Sequence, residues 1–442
     1  MNRRNFLIGA ASSAMSLSIN SLLTGLSPAF LTAGSTFVRD PLRKFAIIAQ
    51  SGAGEAVNGC GPGSFDSPDF MHPTKNSTDY VKTIAGTTYT SEDMALTTNF
   101  LDGQNPVRIA RIFEALGSMQ DNMAFFHHRT KLGIHPQFPS AKTAGGAIKG
   151  FIGRGEEELV SAIAQENAIA MGCVIDKPIV LSGSATYKGS PLNTYTPTVI
   201  KELVTSSINS EVPREMFSAA RNHLIDAVYQ NIKTNGTPNQ KRFLDEYALT
   251  QQQADEVASK LLNEVSEIND DSYASQMRMA CIIAKLNLAP AAVVSYQLSG
   301  DNHISDAMTV EAERTLDMME AYRDFYDFAN SMDVWNQLLY ATISVFGRSM
   351  NKRANGRNHN GSLSTGLLFG GHLSRKVIGG IDPNISKGVS MPINSSTGGT
   401  ENPNVSVDDS LACYAKSVLK AAGVPDDRLE ERVRDVPAVS LV

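Results

Sequence analysis

Short apolar runs, each about one strand long, recur along this chain between longer stretches of helical periodicity. That alternation limits the fold more than any other feature of the sequence. The runs are Lys44–Gln50, Met123–His128, Pro178–Leu181, Ala291–Leu298, Leu338–Phe346 and Ser364–Phe369. Bounded by Gly, Ser and Asn, they read as strands buried on both faces. Between them, Asn105 as a cap and Pro106 as a first-turn residue predict a helix through Ile109, Ile112, Phe113 and Leu116. Residues 156–166, 307–331 and 408–422 predict further helices. In 307–331, Met308, Ala312, Leu316, Met319, Tyr322 and Tyr326 form one apolar stripe. Strands alternating with helices imply an α/β fold, with a mostly parallel central sheet covered by helices on both faces. Residues 197–286 read as a helical insertion, strongly polar over 238–267. Residues 58–80 and 379–407, rich in Gly, Pro, Asn and Ser, read as long loops.

The first residues fold into none of this. Arg3-Arg4 precedes Asn5-Phe6-Leu7-Ile8, and the weakly apolar stretch from Phe6 to Leu23 carries no charge. Paired arginines before such a stretch fit a twin-arginine export signal. Residues 1–29 are therefore read as the signal and 30–442 as one domain. The expected destination is the periplasm or the exterior, reached in the folded state, with the twin-arginine translocase as a partner. Contact with the membrane is expected only through the uncleaved signal, because no later uncharged run approaches the ~20 residues that span a bilayer. Removing residues 1–29 deletes two arginines and no acid, taking the formal charge from −6 to −8. An acidic chain without basic blocks argues against nucleic acid as a partner. Cys60, Cys173, Cys281 and Cys413 form no CxxC pair. They leave open one or two long-range disulfides, or simply small buried hydrophobes.

In a parallel sheet, sites sit beyond the carboxyl ends of the strands. The first run delivers Ser51, Gly52 and Glu55 there. The second delivers His127, His128 and Arg129, with His135 soon after, and Ala291–Leu298 delivers Asp301 and His303. Leu338–Phe346 delivers Arg348, followed by Arg357, Asn358 and His359. Convergence of His127, His128, His135, His303 and His359 is the expectation. An acid and an imidazole two apart, as in Asp301-Asn302-His303, suit a divalent metal of zinc type, although Gly-Asp-Asn is also ordinary turn chemistry. His127 and His128 are adjacent on a strand, so only one of them should face a site. The loop 356–359 fits an anion site or a plain polar crossover. No GxSxG elbow, P-loop or GxGxxG follows a strand.

Several separated blocks resemble a known family, the exported proteins called domain of unknown function 1501, placed near sulfatases in the alkaline phosphatase superfamily. The blocks are Gln50-Ser51-Gly52-Ala53-Gly54-Glu55, Gly300-Asp301-Asn302-His303, Ser344-Val345-Phe346-Gly347-Arg348-Ser349, Gly356-Arg357-Asn358-His359 and Leu367-Leu368-Phe369-Gly370-Gly371. The resemblance implies an alkaline-phosphatase-like sheet with a metal or anion site at the strand ends. Asp301, His303 and His359 would hold one divalent ion, zinc by ligand type. Arg348 and Arg357 would face an anionic small molecule, and Ser51 or a bound water would attack a phosphate or sulfate ester. Glu55, His127, His128 and His135 are further candidates. Two family acids are replaced here by Val345 and Asn358, and the first-strand acid is displaced to Glu55. A two-metal hydrolase needs those carboxylates. The departures point to a reduced site, and leave both an ester hydrolase and a non-catalytic cell-envelope binding or structural protein as readings.

Overall fold

The computed structural model describes residues 40–54, 57, 61, 80–94, 96–101, 106–150, 155–173, 175–202, 263–296, 307–351, 357–382 and 384–442. The chain divides into two compact units. In the smaller, which includes 197–271, Lys201 Nζ donates to the carbonyls of Ser266 and Ile268 at 2.7 and 2.6 Å.

The larger unit is built on a seven-stranded sheet. Its strands are β1 (Phe45–Ser51), β2 (Met123–His128), β3 (Ile179–Val180), β4 (Ala291–Ser295), β5 (Leu338–Ser344), β6 (Ser364–Phe369) and β7 (Lys376–Ile378). The order across the sheet is β7-β2-β6-β5-β1-β4-β3. Neighbours run parallel except around β6, which opposes both β5 and β2. The fold is thus mixed α/β with a mostly parallel sheet. β1 lies inside the sheet, one place from its centre, pairing Ala46 with Ala291 on one side and with Leu339 on the other.

Side-chain alternation on β1 feeds two cores. Ala46 and Ile48 join Val293 and Ala341 beneath α2 (Leu159–Met171) and α5 (Ser410–Ala421), which contribute Ile163 and Val418. Gly172, in the left-handed region at φ 66°, ends α2. Gly366 on β6 lets the Tyr414 ring of α5 press onto the strand; an added Cβ there would lie 2.4 Å from the ring.

The opposite face lies under α3 (Tyr273–Lys285) and α4 (Ala307–Ser331). There Tyr340 and Phe369, directly opposed across β5 and β6, stack with ring centroids 4.0 Å apart. The Tyr340 hydroxyl is hydrogen-bonded to those of Tyr273 and Tyr322 at 2.8 and 2.9 Å. Burial raises all three phenols. Helix α3, read from sequence with the insertion, packs instead in the larger unit through the buried Met277, Ala280 and Ile283.

One element corrects the sequence reading. Residues 106–116 do not form an α-helix. Pro106–Ala110 is a strand paired with Leu96–Leu101, and Arg111–Asn122 is a 3-10 run broken at Gly117. Ile109, Ile112, Phe113 and Leu116 are all buried, as the helical spacing implied. The backbone that buries them is different. The short α1 (Phe138–Lys142) and a C-terminal α6 (Asp426–Arg432) complete the elements used below. Among the described residues Cys173, Cys281 and Cys413 form no disulfide, and Cys60 lies outside the described residues. No helix among the described residues is long and apolar enough to cross a membrane.

Candidate functional site

The carboxyl edge of the sheet is organised by the turn after β1. Ser51 Oγ accepts from the Ala53 amide at 3.3 Å and donates to the Gly54 carbonyl at 3.2 Å, closing a tight loop. Its hydroxyl is thus a loop brace, 4 % exposed, and neither of these contacts activates it as a nucleophile. Gly54 has φ +85°, and a Cβ there would sit 2.5 Å from the Phe346 ring and 2.9 Å from Arg348 Nε. Glycine therefore lets the loop lie flat against the segment that follows β5.

That segment carries Phe346 and Arg348. Gly347-Arg348 pairs antiparallel with His359-Asn360, Arg348 opposite His359. His359 stacks on Phe346 at 4.0 Å, and His135 meets Phe346 at 5.2 Å and His359 at 4.7 Å. Each imidazole is anchored by a main-chain carbonyl. His135 Nδ1 lies 2.8 Å from the Gly52 oxygen and His359 Nδ1 lies 2.7 Å from the Gly133 oxygen. A carbonyl only accepts, so both Nδ1 atoms carry a proton, and in the neutral imidazole the lone pair is left on Nε2. This tautomer, fixed from behind by a carbonyl, is the one metal-ligating histidines adopt.

The arginines are placed differently from the expectation that they face an anion. Both are 0 % exposed. Arg348 donates to the Ala53 carbonyl and lies over Phe346, 5.2 Å from its centroid. Arg357 donates to the carbonyls of Ser349 and Met350 and pairs with the equally buried Glu311 of α4 at 3.3 Å. Both guanidiniums are engaged inside the protein.

His127 and His128 face opposite sides of β2, as strand alternation requires. His127 Nδ1 lies 3.1 Å from Thr365 Oγ1 on β6. His128 stacks on Tyr414 at 4.9 Å, and burial pushes its imidazole down to about 3, with His127 adding to the effect. Neither joins the pair formed by His135 and His359. Of the five histidines expected to converge, those two do. Asp301, His303 and Glu55 lie outside the described residues. Among the described residues no three His, Cys, Asp or Glu side chains gather closely enough to hold a metal ion.

Sequence reasoning missed Phe346 and Phe138 as the walls of this site. Phe138 would touch a Cβ at Gly52 from 3.5 Å. Its position in His135-Pro136-Gln137-Phe138, straight after a histidine placed in the site, was the available signal. Beside the edge, at the end of β4, a cavity of about 430 Å³ is lined by Ser182, Tyr273, Gln276, Ser295, Arg314 and Asp317, among others.

No protein-family model matches this chain, and no curated protein aligns with it.

Proposed function

We propose that this is an exported protein on an alkaline-phosphatase-like, hydrolase-derived scaffold, related to the domain of unknown function 1501 proteins, with a reduced metal site centred on His135 and His359. The family relation rests on the motifs quoted above. The observation that carries the functional reading is the complete burial of Arg348 and Arg357 against Ala53, Ser349, Met350 and Glu311. Transfer of a phosphoryl or sulfuryl group relies on cations aimed at the developing charge, and these two are turned inward. In this reading the twin-arginine translocase delivers the folded protein to the periplasm or beyond, where the site binds an anionic small molecule or a cell-envelope partner.

When bound, a zinc-type ion would supply Lewis acidity. His135 and His359 would hold it, with Asp301 and His303 as the further ligands the motif resemblance implies. The tautomers fixed by Gly52 and Gly133 favour the second reading, a metal-dependent hydrolase of phosphate or sulfate esters.

Metal analysis of the purified mature protein beside Asp301→Ala, with a screen of phosphate and sulfate esters, separates the two. The reduced-site reading expects weak zinc binding, weaker still in Asp301→Ala, and no turnover. Stoichiometric metal with ester turnover would overturn it in favour of the hydrolase.

A further inference from the structure

Away from the histidine pair, a lysine is buried against an exposed serine. Helix α1 ends on Lys142, whose side chain is 7 % exposed. Its Nζ lies 2.9 Å from Ser184 Oγ and 2.7 Å from the Ser184 carbonyl. Glu158, just before α2, stands 3.5 Å from the same Nζ, with its own side chain 9 % exposed. Phe138 closes the remaining side, its ring centroid 5.2 Å from Nζ. Ser184 lies on the turn that follows β3, after Gly183 at φ +80°, and is open to solvent. The amides of Gly183 and Ser184 donate no hydrogen bond to another described residue.

A serine hydroxyl becomes a nucleophile when a neutral base within hydrogen-bond reach takes its proton, and a desolvated lysine is such a base. Burial lowers the Lys142 ammonium and raises the Glu158 carboxyl. Both trends favour the neutral amine over the ammonium–carboxylate pair.

We propose that Ser184 and Lys142 form a serine–lysine pair that accepts an acyl group from a carboxylic ester. Ser184 Oγ bonds to the carbonyl carbon and its proton passes to Lys142 Nζ. The Gly183 and Ser184 amides receive the carbonyl oxygen as it becomes negative. The bond from carbon to the ester oxygen then breaks, and the alcohol leaves with the proton held by Lys142. Water, deprotonated by the same amine, releases the carboxylic acid and restores Ser184. Neither residue belongs to the histidine site, so this inference stands or falls separately from the metal reading.

The test is labelling of the full mature protein with a fluorophosphonate, followed by intact mass and peptide mapping. The expected result is one adduct on Ser184. It should be absent in Ser184→Ala and should form on the order of a hundredfold more slowly in Lys142→Arg, which keeps the charge but cannot serve as base. Ser184 is exposed, so Ser184→Ala keeps the fold even if Lys142→Arg does not, and circular dichroism checks both. Hydrolysis of p-nitrophenyl acetate should follow the same pattern. No adduct on folded wild-type protein from neutral to alkaline pH would overturn the proposal. So would labelling that survives in Ser184→Ala, or a wild-type rate in folded Lys142→Arg.

Discussion

The imidazoles of His135 and His359 meet edge to face at 90°, with ring centroids 4.7 Å apart. The two residues come from different parts of the chain, His135 pinned by the Gly52 carbonyl and His359 by the Gly133 carbonyl. Zinc titration, followed by calorimetry, should therefore respond to either residue. His359→Phe preserves the stack on Phe346 while removing a ligand, and should weaken zinc binding by at least about tenfold. Unchanged affinity would remove His359 from the site.

Gly54 gives the loop after β1 its shape. Gly54→Ala combines a positive φ with a Cβ driven into Phe346 and Arg348. Urea denaturation should show a loss of about 1–3 kcal/mol. A neutral effect would mean that the loop can move away from Phe346.

Arg357 and Glu311 form a pair with neither side chain exposed. Removing one partner leaves an uncompensated buried charge, so Arg357→Met or Glu311→Leu alone should each destabilise by roughly 3–5 kcal/mol. The double variant should recover much of that. Additive losses in the denaturation midpoints would show that the two side chains act independently.

The sequence made the parallel framework legible because buried strands advertise themselves by composition. Met123–His128, Ser364–Phe369 and Ala307–Ser331 have the limits the apolar runs and stripe imply. Pro106–Ala110 was misread because Ile109, Ile112, Phe113 and Leu116 repeat at helical spacing, and a strand followed by a 3-10 run also buries them all. The site was half legible. A position past a strand end placed His135 and His359, but sequence does not show that Arg357 finds Glu311, far back on α4. Nor does it show that Lys142 reaches Ser184 across two intervening elements.

His128 and His372 give the protein an acid-sensitive side. Burial lowers His128 to about 3 and His372 to about 4, the latter with Lys44 adding to the effect. Both stay neutral in the fold but protonate near 6.5 when unfolded, so the unfolded state binds more protons between those values. Stability must then rise with pH across this window and fall on acidification from about 6.5. His128→Phe, which keeps a ring against Tyr414, should reduce the stability lost between pH 7 and pH 4 by on the order of 2–3 kcal/mol. An unaltered pH profile in denaturant titrations would contradict the buried neutral imidazole.

Tyr340 holds the phenols of Tyr273 and Tyr322 at once. Tyr340→Phe retains the stack on Phe369 but strips both partners of a bond, and should lower stability by about 1–3 kcal/mol. The loss should be visible as a shift of the chemical denaturation midpoint with unchanged slope.

The position of β1 also sets a schedule. Residues Phe45–Ser51 leave the ribosome early, yet their two neighbours are Ala291–Ser295 and Leu338–Ser344. The two hydrogen-bonding edges of this fully buried strand therefore cannot both close until Leu338–Ser344 has been synthesised. Such a sheet closes late, around a strand that must be kept from pairing with another copy in the meantime. The nascent chain is thus a natural client for a holding chaperone, and any truncation before Leu338 leaves that strand with an unpaired side.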